Sequence, residues 1–172
     1  MIKIRPVEEK DLTTILAIYN DVILTSTAVY KYQEETMAER KAWLMAKEEA
    51  GLPVIVYEEA GEVLGFATYG SFRPYPAFKY SIEHSVYVHK DHHSKGIGTK
   101  LMKELIKLAN TAGFKMMIAG IDASNIGSIR AHEKLGFTYA GTIKKSGFKF
   151  GHWLDLAFYQ LELDGPTEPT ED

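Results

Sequence analysis

Cysteine is absent from this 172-residue chain, which excludes disulfides, thiolate metal sites and a cysteine nucleophile together. The absence also suits a chain kept in a reducing compartment. Long apolar runs are missing as well: none approaches the roughly 18 residues that a membrane-spanning helix needs. The amino terminus, Met1-Ile2-Lys3-Ile4-Arg5-Pro6, reads as a strand rather than as a basic segment ahead of an apolar one. A cytoplasmic chain with no membrane partner is therefore expected. Excess charge of either sign is lacking too, with 20 basic against 23 acidic residues and a formal net charge of -3. Asp164, Glu168, Glu171 and Asp172 crowd the last nine positions, so the body is close to neutral. Such a body has no general attraction for nucleic acid, and the expected partners are small molecules.

What is present suffices for one sizeable core, at 45% hydrophobic and 12% aromatic residues. The expectation is a single domain over 1–163 and a disordered acidic tail over 164–172, where Pro166 and Pro169 alternate with acids and threonines. Alternation at 2–5 predicts a strand. Leu12, Ile15, Leu16, Tyr19, Val22 and Ile23 recur at helical spacing, and Thr36 with Glu39 forms a capping-box signature for a second helix. Segments 54–57 and 63–69 flank a short turn and predict a hairpin. The stretch 71–78, with Pro74, Pro76, Phe72, Tyr75 and Phe78, reads as a loop. A strand over 80–88, a long amphipathic helix over 96–112 closed by Gly113, a strand over 116–121, a helix over 128–135 and two strands over 138–149 and 153–163 complete the chain. This order predicts a mixed α/β sheet, with helical crossovers forcing some parallel pairs and hairpins leaving others antiparallel.

The segment richest in chemistry runs from Glu83-His84-Ser85-Val86-Tyr87-Val88 into His89-Lys90-Asp91-His92-His93-Ser94-Lys95-Gly96-Ile97-Gly98-Thr99. A strand leads through a polar, glycine-bearing loop straight into a long helix. That arrangement offers free backbone N–H groups and the positive helix end to a phosphate. A Walker loop is excluded by spacing, and a dinucleotide loop lacks its third glycine, because Leu101 stands there. Adjacent histidines at 89, 92 and 93 with Asp91 rarely converge on one ion from a flexible loop, so no metal is expected.

These residues resemble the GNAT superfamily of acetyl-CoA-dependent N-acetyltransferases. The family's Gln/Arg-x-x-Gly-x-Gly/Ala loop stands here as His93-Ser94-Lys95-Gly96-Ile97-Gly98, with His93 departing from the pattern at the first position. A second family motif follows as Asn125-Ile126-Gly127-Ser128, then a short helix ending at Gly136-Phe137. Within the superfamily, Glu83-x-Ser85-Val86-Tyr87-Val88, Thr25-Ser26-Thr27 and His132-Glu133-Lys134-Leu135 are most similar to the phosphinothricin and methionine sulfoximine acetyltransferases. The resemblance spans 2–163. It implies a mostly antiparallel central sheet with one splayed parallel pair flanked by helices, acetyl-CoA as co-substrate, and a homodimer, for which the aromatic strands at 148–159 offer a surface.

The resemblance also distributes roles. The backbone of Val86, Tyr87 and Val88 is implied to pair with the pantetheine arm, Ser94, Lys95, Gly96, Ile97, Gly98 and Thr99 to hold the pyrophosphate, and Asn125 to hydrogen-bond the CoA arm. Glu83, a carboxylate on a strand expected to be buried, suits a general base for the acceptor amine. His132 occupies the position implied for the acid that protonates the departing thiolate. Tyr30, Phe72, Arg73 and Tyr75, with Glu83, are the acceptor-site candidates, because an amino acid needs a guanidinium for its carboxylate and aromatic walls for its side chain. The expected reaction is acetyl transfer to the α-amine of an amino-acid-like molecule. A protein amino-terminal or lysine acetyltransferase and a non-catalytic acyl-CoA sensor are the alternatives.

Overall fold

A computed structural model describes residues 1–172. In chain order the elements are β1 (Ile2–Pro6), α1 (Leu12–Thr25), α2 (Met37–Glu49), β2 (Val54–Glu59), β3 (Glu62–Ser71), β4 (Ser81–Val88), α3 (Ile97–Thr111), β5 (Met116–Asp122), α4 (Ile126–Lys134), β6 (Thr138–Lys149) and β7 (His152–Glu162). Hydrogen bonding orders the strands β1-β2-β3-β4-β5-β7-β6, an open mixed sheet whose one parallel pair is β4 with β5. The chain packs as two compact units, Met1–Tyr69 with Ser85–Leu105, and Gly70–His84 with Ile106–Asp172.

In the first unit, α1 buries Ile15 and Ile18 against Val56 of β2 and Phe66 of β3, with Tyr19 and Tyr87 packed around them. The expected capping box is present: Thr36 Oγ1 accepts from the Glu39 amide and Glu39 returns a bond to the Thr36 amide. Gly65 has a steric reason. A Cβ there would meet the Tyr87 carbonyl at 3.0 Å and the Leu101 and Ile97 side chains at 3.2 and 3.3 Å. The missing side chain lets β3, β4 and the first turns of α3 close on one another, which sets where the helix begins.

In the second unit, β7 pairs antiparallel with both β5 and β6. Strand β4 joins β5 only over Ser81–Glu83, opposite Met116–Ile118. Expected boundaries shift by up to two residues, as in β2, β3 and α4: the helix predicted over 128–135 runs Ile126–Lys134, because Asn125 caps it by accepting from the Ser128 amide at 3.1 Å. Residues 164–172 form no helix or strand, yet the Tyr80 hydroxyl donates to the Thr170 carbonyl and accepts from the Thr170 amide.

Candidate active site

The loop ahead of α3 belongs to the first unit. Ser94 and Gly96 adopt left-handed backbone angles, φ 65° and 77°, and the first helical bond is from the Lys100 amide to the Gly96 carbonyl. The amides of Ile97, Gly98 and Thr99 therefore precede the helical ladder and have no intrahelical acceptor. Nothing lies within 4 Å of where a Gly96 Cβ would stand, while one at Gly98 would touch only Val88 and Val86 at 3.8 and 3.9 Å. An exposed left-handed turn with free amides at a helix start is a cradle that fits a pyrophosphate. His93 is turned back onto the fold, its Nε2 lying 3.0 Å from the Val88 carbonyl, and Lys95 Nζ lies 3.2 Å from His92 Nδ1. No group of three or more His, Cys, Asp or Glu side chains is arranged to hold a metal.

Strand β4 continues directly from the second unit into that loop. Its side chains alternate, Ile82 and His84 buried, Ser81, Glu83 and Ser85 half-buried, so Glu83 and His84 point to opposite faces. Glu83 makes neither hydrogen bond nor ion pair. Burial pushes its carboxyl above the usual carboxylate range, and the charge of Arg73 only partly offsets that. Its Oε2 faces the open side of Gly120, 3.8 Å from where a Cβ would be. A half-buried, unpaired carboxylate of raised proton affinity is a competent general base.

On the other face, His84 and His132 stack, with ring centroids 5.1 Å apart and their Nε2 atoms 2.9 Å apart. Phe137 packs against both rings. His132 Nδ1 lies 2.7 Å from the Ser128 carbonyl, which can only accept, so that nitrogen carries the proton. His132 Nε2 is then the acceptor and His84 Nε2–H the donor. His84 Nδ1 is left bare: it is buried without a hydrogen bond, and the Ile118 carbonyl beside it is itself only an acceptor. Burial, and then the neighbouring His132, push His84 down to about 3, and burial also lowers His132.

The linkage has a definite sign. His84 is depressed in the fold, so the unfolded chain binds its proton first, and stability present above about pH 6.5 is lost as pH falls toward about 3. Between pH 7 and pH 5 this histidine should cost roughly 2 kcal/mol of stability. Urea unfolding at both pH values is expected to show a smaller acid loss for His84→Gln than for wild type. An equal loss in the two proteins would remove His84 as the cause.

The GNAT acetyltransferase family model matches residues 15–137. A methionine sulfoximine and methionine sulfone acetyltransferase of Pseudomonas paraeruginosa is 44% identical over 94% of each chain. The chain belongs to the GNAT acetyltransferase family. Among solved structures, a Salmonella typhimurium protein determined with its cofactor acetyl-CoA is 42% identical, with a TM-score of 0.94 over 98% of both chains. A ribosomal-protein-alanine N-acetyltransferase of Brucella melitensis is 43% identical, with a TM-score of 0.92 over 94% of this chain and 99% of that one.

In this GNAT acetyltransferase, the residues expected at the site fall into groups. Val86, Tyr87, Val88 and Ser94 to Thr99 lie together in the first unit, as does Tyr30, which is 43% exposed between α1 and α2. Glu83, Arg73, Phe72, Asn125 and His132 lie in the second. Arg73 sits 4.7 Å over the Phe72 ring, Phe72 packs on Phe78, and Arg73 acts on the Glu83 charge, so these acceptor-site candidates form one cluster. Tyr75 stays at the surface, 67% exposed. Asn125 uses its side-chain oxygen to cap α4, which leaves its amide nitrogen for any ligand. His132 is paired with His84 and not with Glu83. The sequence reading assigned no place to the His84 partner or to Gly120. A histidine sharing the buried face of β4 with Ile82 was a legible signal, since a buried imidazole needs a partner.

Proposed function

We propose that the chain binds acetyl-CoA at the Ser94–Thr99 loop and transfers the acetyl group to the α-amine of a small amino acid, of the methionine sulfone, methionine sulfoximine or phosphinothricin type. The observation that carries the reading is Glu83, a half-buried carboxylate with no partner in the fold, on the strand that runs on into the cofactor loop. The names of the relatives support the substrate class. An amine arrives protonated and attacks a thioester only when neutral. Glu83 accepts that proton directly or through one water, and the free amine attacks the acetyl carbonyl. Arg73 meets the acceptor carboxylate, with Phe72 as an apolar wall; the exposed Tyr75 lines at most the rim. Tyr30 remains an acceptor-side candidate by its residue type alone.

The thioester supplies the activated acetyl group, and the chain's part is to orient it. The Ile97, Gly98 and Thr99 amides hold the pyrophosphate, Lys95 adds a positive charge, and Val86, Tyr87 and Val88 hold the amide-bearing arm by backbone hydrogen bonds. His132 was the expected acid, but its one proton, on Nδ1, is held by the Ser128 carbonyl and its Nε2 accepts from His84, so the departing thiolate takes its proton from water. A thiol-release assay with acetyl-CoA and free amino acids, including methionine sulfone, methionine sulfoximine and phosphinothricin, should find at least one efficient acceptor. Turnover only with peptides carrying an amino-terminal alanine would replace this reading with the protein acetyltransferase one.

A cytoplasmic homodimer is part of the same proposal, with no nucleic-acid or membrane partner. No helix is long and apolar enough to cross a membrane. Strand β6 ends the sheet order, and Tyr139, Ile143, Phe148, Phe150 and Trp153 stand exposed along the β6–β7 hairpin. An edge strand with so many exposed large apolar side chains suits a second copy. Sedimentation at micromolar concentration should give about twice the 19.3 kDa chain mass. A monomer mass would count against the dimer.

A further inference from the structure

We propose that Gly120 is a specificity-determining residue of the acceptor site: its missing side chain leaves, beside the Glu83 carboxylate, the space that the acceptor's own side chain enters. The inference rests on the proposed amino-acid acetyltransfer and names the position that sets the size of its substrate.

Gly120 lies inside β5, in register with Phe158 of β7. Its φ is not left-handed, so the backbone makes no demand for glycine there. A glycine inside a strand weakens the strand and packs nothing, and one with no conformational reason marks a place where something else must come close. The fold's own side chains reach that position only to ordinary contact distance, and none fills it. Along β5 the residues alternate, Met117 and Ala119 buried on one face, Gly120 exposed on the other. That second face is the one onto which Glu83 extends.

A Cβ at Gly120 would stand 3.4 Å from Leu156 Cδ1, 3.8 Å from Phe158 Cε1 and 3.8 Å from Glu83 Oε2. The vacant position is thus bounded by two half-buried apolar side chains and by the carboxylate that receives the amine proton. Arg73 acts on the same carboxylate from the Phe72–Phe78 loop. An α-amino acid matches these groups one by one: its amine to Glu83, its carboxylate to Arg73, and an apolar side chain to Leu156 and Phe158. The Glu83 carboxylate carries no partner that an acceptor would have to displace. The space favours an unbranched or thioether-derived side chain over the hydrogen of glycine, because only a long side chain reaches both apolar walls.

The test is acceptor specificity in Gly120→Ala and Gly120→Val. The alanine Cβ would sit at ordinary contact distances, so that variant keeps the fold and remains decisive if the valine variant fails to fold. For methionine sulfone, kcat/KM should fall about tenfold in Gly120→Ala and further in Gly120→Val, the scale at which a pocket registers one carbon. For alanine as acceptor it should change by less than about threefold, and KM for acetyl-CoA should stay at the wild-type value. Equal losses for large and small acceptors, or none for either, would overturn the role of Gly120 while leaving the acetyltransfer standing. Absence of turnover by the wild-type enzyme with every free amino acid would overturn both.

Discussion

Glu83→Gln is expected to lower turnover by roughly a hundredfold or more while leaving acetyl-CoA affinity unchanged, the usual range for loss of a general base. Glutamine keeps the size and removes the proton acceptor. The side chain has no hydrogen bond or ion pair to lose, so the variant should fold as the wild type does. The pH profile separates base loss from simple damage. In the wild type, burial raises the Glu83 pKa, so activity should climb through that raised value as the carboxylate forms and then level off. In the variant no such limb exists, and the rate should keep climbing as the free amine fraction grows. The deficit therefore shrinks at high pH. A variant matching the wild type in rate and profile would take Glu83 out of the mechanism and leave the proton to a water chain.

Gly96→Val is expected to weaken acetyl-CoA binding by at least about tenfold, on the order of 1.4 kcal/mol, with the fold retained. Nothing lies within 4 Å of the added Cβ, so no clash is created. The cost is conformational. Gly96 sits at φ 77°, and a β-branched residue held there loses on the order of 1–2 kcal/mol, small beside the roughly 5–15 kcal/mol of a folded domain. The cheap escape is for the exposed loop to abandon the left-handed turn, and the cradle of free amides goes with it. Isothermal titration with acetyl-CoA, beside a circular dichroism check of folding, decides the matter. Wild-type affinity in a folded variant would move the cofactor site elsewhere.

The elements were legible where local chemistry dominates. The Thr36–Glu39 box, the Leu12–Ile23 periodicity and Gly113 as a helix stop each act within one or two turns, and the structure has them in place. The boundary of α4 slipped because capping competes with periodicity: Asn125 captures the Ser128 amide and draws the helix two residues earlier than its apolar spacing suggests. The candidate site divides in the same way. The 94–99 loop was readable because a phosphate cradle is made of consecutive residues. The acceptor cluster was only partly so. Arg73 and Phe72 lie together in sequence, but the action of Arg73 on Glu83 depends on how the 71–78 loop folds.

Contiguous residues suffice to mark this chain as a GNAT acetyltransferase with a glycine-bearing loop running into a helix at 94–99 and a carboxylate at Glu83. Those features are encoded in short, contiguous runs, whose backbone conformations and charges follow from their own residues. Only the tertiary structure decided that both His132 ring nitrogens are taken up, one by Ser128 and one by His84, and that Gly120 opens space beside Glu83. These depend on residues tens of positions apart meeting across strand registers and a helix face. Strand register carries the physical reason, since a slip of one residue in β5 would turn Gly120 to the other face and close that space.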